Sequence, residues 1–180
     1  PEKDALRMAN HTRVYHTKPT YQTVLDAVTK QFHSGEGAIQ FAPEAIARSN
    51  ADILKDDELR KEFIEIYSEQ GKDEARNWIN SSYGPFSEEE LDHRMSRYGL
   101  NPCGEILGND FHCNLAEVHL NQIDPGNFEE QKKAFKAAAL SVACLLNHEF
   151  EVERYRKSRE YDPIVGVSFT GLFDFCVHAF

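Results

Sequence analysis

The sequence predicts a mixed α/β protein with a core of its own, and three observations carry that expectation. A helical stretch opening at Thr20 stops at Gly35 and is followed at once by the short apolar run Gly37–Phe41. The same alternation returns later, with an apolar run at 115–123, a long helical pattern after Asn127 and a second apolar run at 164–169. Strands separated by helix-length segments are how a parallel sheet with crossover helices is written in sequence. The chain has 180 residues, 41% hydrophobic and 28% charged, which is enough apolar material for one globular core.

Taken in order, residues 1–19 are polar, and Pro19 disfavours helix immediately before it. Thr20 is an N-cap residue for a helix with Val24, Leu25, Val28 and Phe32 on one face, and Gly35 ends it. Pro43 opens a short helix over 44–48. Between 55 and 80, Leu59, Phe63, Ile66 and Tyr67 recur at helical spacing in a charged background, so one face packs and the rest is solvated. Gly71 interrupts this helix, and a second one holds Trp78 and Ile79. Ser87 with Glu90 makes a capping box for a helix through Leu91 and Met95, which Gly99 is expected to end. Beyond the strand at 115–123, Asp124-Pro125-Gly126 is a turn. Asn127 with Glu130 then caps the longest helix, with Phe128, Phe135, Ala139, Val142, Ala143 and Leu146 as its apolar face. A charged stretch at 149–160 precedes the strand at 164–169, the turn Thr170-Gly171 and a final helix from Leu172.

Composition excludes several classes of function. A net charge of −10 argues against a general nucleic-acid binder, since phosphate recognition needs a surplus of Lys and Arg. No apolar run approaches the length that spans a bilayer, so no membrane partner is expected. The first residues have no signal-peptide character, and both ends of the sequence read as cut from a longer polypeptide. Four cysteines, at 103, 113, 144 and 176, are too few for a disulfide-stapled secreted protein, which points to a reducing cytoplasm. Cys144 and Cys176 lie in apolar surroundings and are expected in the core.

The chemistry concentrates in Asn101-Pro102-Cys103-Gly104-Glu105 and, just after it, Phe111-His112-Cys113-Asn114-Leu115. On an extended or looped backbone alternate side chains share a face, so Asn101, Cys103 and Glu105 can converge on one ligand, in a shaped loop that presents a thiol, an amide and an acid together. Pro102 fixes its own φ, while Gly104 lets the backbone turn or approach a ligand closely. Three interpretations of this loop stand side by side: a structural turn with a buried thiol, a metal site drawing on Cys103, Cys113, His112 and His119, and thiol chemistry with Glu105 as base and Asn101 as orienter. The metal case lacks a C-x-x-C pair to bring two thiolates onto one ion. His112, beside Cys113, is a candidate for a supporting role.

These two segments, Asn101 to Ile106 and Phe111 to Glu117, resemble the active-site loop of ribonucleotide reductases. The Pro and Gly spacers resemble the adenosylcobalamin-dependent class II form, in particular the ribonucleoside-triphosphate reductases. Asn10–His16, Gly35–Ile39 and Val165–Gly171 are similar to the same family, so the resemblance runs nearly end to end. It implies part of a ten-stranded α/β barrel with a central finger loop. Residues 1–54 would end the first half-barrel, 55–98 would be a helical insertion, 99–113 the finger loop and 114–180 the start of the second half. It implies that Cys103 forms a thiyl radical that takes the ribose 3′ hydrogen. Glu105 would accept the 3′-hydroxyl proton, and Asn101 would bond the sugar hydroxyls. Asn101 and Gly104 would then be the substrate-binding positions, with no metal ligand assigned in this chain. Cys113 would be one of two cysteines that end as a disulfide and are reset by a thioredoxin-type dithiol. Adenosylcobalamin is the implied cofactor, a ribonucleoside triphosphate the implied substrate, and a deoxynucleotide effector is expected in the full-length parent. The partner of Cys113 would lie upstream of Pro1. Two alternatives remain open at this point: a class I large subunit fed by a separate radical-generating subunit, and a non-catalytic module that only binds nucleotide or a partner.

Overall fold

The computed structural model describes residues 11–35, 37–101 and 103–180. Residues 1–10, Glu36 and Pro102 lie outside the described residues. With them go Asn10 of the Asn10–His16 motif, Glu36 of the Gly35–Ile39 motif and the proline spacer of the central loop. The class is mixed α/β, as expected. The chain divides into two compact units between Asn109 and Asp110.

The first unit opens with β1 (Thr12–Tyr15) and β2 (Ala38–Phe41), paired in parallel from Thr12↔Ala38 to Tyr15↔Phe41, with α1 (Tyr21–Ser34) as the crossover between them. The helix begins where Thr20 Oγ1 accepts the Thr23 N–H at 3.2 Å, and it ends at Gly35 in the left-handed region (φ 74°). β1 lies in a stretch read as polar, although Thr12, Val14 and Tyr15 are types that strands favour. Arg13 helps hold it, donating from Nη1 to the Gly37 carbonyl at 2.9 Å. A side chain at Gly37 would collide with that guanidinium. The apolar face expected on α1 needs correction. Its covered side is Val24, Ala27 and Gln31, while Leu25, Val28 and Phe32 join Tyr21 in an exposed stripe. A crossover helix lying on a sheet of only two strands covers one narrow line of residues, and the neighbouring line stays open.

The core of this unit is helical. It is built by α2 (Ala42–Ser49), α3 (Asp57–Gln70), α4 (Lys72–Tyr83) and α5 (Glu88–Arg94). Pro43 sits in the first turn of α2, where its missing N–H costs nothing. Asp56 and Ser87 cap α3 and α5 through side-chain oxygens that accept the Leu59 and Glu90 N–H groups. Gly71, at φ 98°, separates α3 from α4. Ile46, Leu54, Phe63, Ile79 and Leu91 are fully buried, with Ala47, Tyr67, Ala75 and Met95 beside them. Each such aliphatic or aromatic side chain stabilises the fold by about 1.5–3 kcal/mol on burial. Residues 55–98 thus share one core with α2. The helix expected to end at Gly99 stops earlier, at Met95. Gly99 instead starts a short hairpin, β3 (Gly99–Leu100) with β4 (Leu107–Gly108), which closes the unit.

The second unit is built on a parallel pair, β5 (Asn114–His119) with β6 (Val165–Thr170), in register from Asn114↔Val165 to His119↔Thr170. Between them come α6 (Phe128–Leu145), which packs on both strands, and α7 (Glu153–Tyr161); α8 (Leu172–Ala179) follows β6. The apolar run to Ile123 is strand only as far as His119, and a short 3₁₀ turn then takes over at Leu120–Gln122. Asn127 caps α6 by accepting the Glu130 N–H at 3.1 Å. The covered side of α6 is Gln131, Ala134, Phe135, Ala138, Val142 and Leu146; Phe128, Ala139 and Ala143, expected there too, are exposed. Cys144 is exposed and Cys176 half-buried, so the expectation of two core thiols is corrected for the first. Helix α7 has almost no apolar residues, so its sequence carries no helical periodicity to read. Among the described residues, no helix is long and apolar enough to cross a membrane.

Candidate active-site hairpin

The segment carrying Cys103 is the hairpin of the first unit. Its stem is the antiparallel pair β3 and β4, with Gly99↔Gly108 and Leu100↔Leu107 facing each other. Two features hold the stem. Helix α2 packs against β4. The approach to β3 is tied to the end of α2: Ser49 Oγ donates to the Arg97 carbonyl at 2.9 Å, and the buried Asn50 donates from Nδ2 to the Arg94 carbonyl at 3.1 Å. Arg94 is itself fixed by Asn50 Oδ1, by Asp52 at 2.9 Å, by Glu90 at 3.1 Å and by the Phe86 ring at 4.7 Å. A buried guanidinium with its carboxylates and amide in place is a rigid joint, because losing any partner would strand a charge.

The tip, of which residues 101 and 103–106 are described, is shaped chiefly by Asn101. Its carbonyl accepts the Gly104 N–H at 3.0 Å, closing a turn. Its own N–H donates to the Ile106 carbonyl at 3.3 Å, and its Oδ1 accepts the Ile106 N–H at 3.0 Å. Asn is suited to this, since a short carboxamide can mimic backbone across a turn. Gly104 takes φ 82°, a conformation that favours glycine, and has open space where a side chain would stand.

The shaped loop expected here is a hairpin tip, closed by the bond from the Gly104 N–H to the Asn101 carbonyl. Strand alternation therefore does not decide which face Asn101, Cys103 and Glu105 share. What the structure does bring about is exposure: Cys103 and Glu105 both stand exposed at the tip, with Asn101 half-buried at its base. The thiol at position 103 is exposed in this chain. Exposure of this kind, on a loop carried by a rigid base, is where binding and catalytic groups are usually presented.

Cys113 belongs to the second unit, exposed just before β5. Next to it the His112 ring lies 4.1 Å from Phe150 and 5.2 Å from Tyr155. Arg159 stands over Phe150 and Arg154 over Tyr155, each at 5.0 Å. This aromatic and cationic cluster fixes the entry to β5. Sequence reasoning does not find it, because Phe150 and Tyr155 sit in a stretch with no apolar periodicity. His119, another ligand candidate, bonds Thr170 Oγ1 through Nδ1 at 3.1 Å. Among the described residues, no three His, Cys, Asp or Glu side chains are grouped to hold a metal ion. Comparison with models of protein families, with curated proteins and with solved structures finds no match.

Proposed function

We propose that this chain is a segment of the catalytic barrel of a ribonucleotide reductase, of the adenosylcobalamin-dependent kind that acts on ribonucleoside triphosphates in the cytoplasm. The observation that carries the proposal is the hairpin at 99–108: a thiol at an exposed tip, a carboxylate two residues on and a carboxamide at the base, on a stem anchored by a buried arginine joint. Two parallel strand–helix–strand crossovers, β1–α1–β2 and β5–α6–β6, are also what halves of a parallel barrel would contribute.

In this proposal Cys103, as a thiyl, takes the 3′ hydrogen atom of the ribose, forming S–H and leaving a carbon radical. Glu105 accepts the 3′-hydroxyl proton as the 2′-hydroxyl departs as water. Asn101 has Oδ1 committed to the turn, so its Nδ2 group is the part that donates to the sugar hydroxyls. Cys113 and a second thiol supply two electrons and two protons, one proton to the departing hydroxyl and one to C2′, and become a disulfide; Glu105 returns its proton to the 3′ oxygen, and the hydrogen taken by Cys103 returns to C3′. A thioredoxin-type dithiol restores the pair. Adenosylcobalamin, when bound, supplies the unpaired electron that turns a thiol into a thiyl. Cys103 fits that role in being exposed, while the residues that would hold the corrin are not among those the resemblance names. An effector deoxynucleotide would act elsewhere in the parent polypeptide.

Replacing Cys103 by Ser in the parent tests this. The substitution is nearly isosteric, but the serine O–H bond is too strong for hydrogen-atom relay. Deoxynucleotide formation should vanish with the fold intact, and a residual rate above about a tenth of wild type would defeat the proposal.

A further inference from the structure

We propose that the cavity between the 3₁₀ turn after β5 and helix α8 is a binding site for a small organic cation, a primary ammonium carried on an apolar body. The chain leaves the carboxyl end of β5 into the turn Leu120–Gln122 and the carboxyl end of β6 into α8, and these two segments pack together. The carboxyl ends of parallel strands are where α/β sheets most often take ligands. The cavity here measures about 480 Å³, within the range of small-molecule sites. Contact fixes one wall: Asn121 lies against Gly171, which takes φ 71° at the start of α8 and leaves no room for a side chain.

The deeper lining is apolar. Leu120 is buried, and Ile123, Pro125 and Phe175 are half-buried around it. The outer lining is polar and uncommitted. Asp124 Oδ1 accepts the Gly126 N–H at 2.8 Å, and Asp124 has no ion pair among the described residues, so Oδ2 is left to the cavity. His178 Nδ1 lies 2.6 Å from the Asp174 carbonyl, which can only accept. The ring proton therefore sits on Nδ1, and the neutral imidazole offers its Nε2 lone pair. The Asn121 and Gln122 side chains make no hydrogen bond among the described residues, and each can turn its carboxamide oxygen to a donor.

Charge decides the class of ligand. Among the described residues no Lys or Arg lines the cavity, so an anion would meet the Asp124 carboxylate with nothing to offset the repulsion. An ammonium instead finds a carboxylate oxygen, an imidazole nitrogen and a carboxamide oxygen for its three N–H groups, with Phe175 as an aromatic wall. One carboxylate and one imidazole fall short of a metal centre, and no three-ligand group occurs among the described residues. The apolar lining selects a cation that carries carbon over a bare one.

The inference does not rest on the reductase proposal. The test is NMR titration of the whole chain with 2-phenylethylammonium chloride, 2-phenylethanol and 3-phenylpropionate, which share an apolar body and differ in charge. The ammonium should shift the resonances of Leu120, Ile123, Phe175 and His178 saturably, and the alcohol and the carboxylate should each bind at least about ten-fold more weakly. Asp124→Asn keeps the Oδ1 acceptor for Gly126 but removes the charge, and should weaken the ammonium at least about five-fold with the remaining spectrum in place. His178→Gln, at an exposed position, should weaken it several-fold. Neither the readout nor the variants involve Asn101, Cys103 or Glu105, so this outcome stands apart from that of the reductase test. Equal binding of the alcohol or the carboxylate, full affinity in Asp124→Asn, shifts centred elsewhere, or no binding of the ammonium would overturn the proposal.

Discussion

Asn101 shapes the hairpin tip and, in the proposed function, also faces the sugar; a pair of substitutions parts the two roles. Its Oδ1 accepts the Ile106 N–H at 3.0 Å, while Nδ2 is the group assigned to substrate. Asn101→Ala deletes the acceptor and leaves the half-buried Ile106 amide to find water. One such bond is worth about 1 kcal/mol net, with more at stake where the donor stays dry. A loss of about 1 kcal/mol in local stability corresponds to roughly five-fold more frequent opening of the hairpin. Asn101→Asp keeps an acceptor at the same place but has no donor to offer. Hydrogen exchange at the Ile106 amide is the direct assay. It should quicken about five-fold in Asn101→Ala and stay near wild type in Asn101→Asp. On the proposed reductase function both variants should lose deoxynucleotide formation, the aspartate one with its hairpin intact. Unchanged exchange at Ile106 in Asn101→Ala would refute the view that this side chain shapes the tip. Full activity in Asn101→Asp would refute its role toward the sugar.

Other consequences follow from single positions. Gly171 has φ 71°, and an added Cβ would stand 2.8–2.9 Å from Asn121, so Gly171→Ala should cost about 2–4 kcal/mol in urea unfolding, with Asn121→Gly recovering only the steric part. Burial raises the Tyr67 phenol above its usual value of about 10, with Tyr98 and Asp73 adding to the effect. The folded state therefore holds that proton more tightly than the unfolded one, so stability should fall as pH rises from about 10 through the raised value, and Tyr67→Phe should flatten that alkaline limb. Alkylation of the native chain should label Cys103 and Cys144 quickly and Cys176 more slowly; protection of Cys144 would contradict its exposed place on α6. Phe63→Ala, which empties a fully buried site in the helical core, should cost about 3–5 kcal/mol in the same urea assay.

Local chemistry is legible in the order of the residues alone. Thr20, Ser87 and Asn127 cap helices at the expected places, because a side-chain oxygen three residues from a backbone N–H needs nothing else to make its bond. Gly35, Gly71 and Pro43 punctuate the chain for equally local reasons. The residue types at 101–105, a carboxamide, a thiol and a carboxylate spaced by Pro and Gly, are enough to mark the candidate site. Contacts between distant parts of the chain settle the rest. Thr12–Tyr15 becomes a strand because β2 lies alongside it, from Thr12↔Ala38 to Tyr15↔Phe41. Helical periodicity announces an apolar stripe on α1, but which line of residues is covered depends on the narrow sheet beneath it. Helix α7 forms without an apolar stripe, its Tyr155 and Arg159 gathered onto Phe150. The loop that the residue types announce is closed as a hairpin tip by Asn101 reaching across to Ile106, a contact those types do not specify. Glu117, His119, Ser168 and Thr170 come together on the β5–β6 pair, although His119 and Thr170 are 51 positions apart in the chain. The parallel register of β5 and β6 is what puts all four on one face, and no local pattern encodes that register.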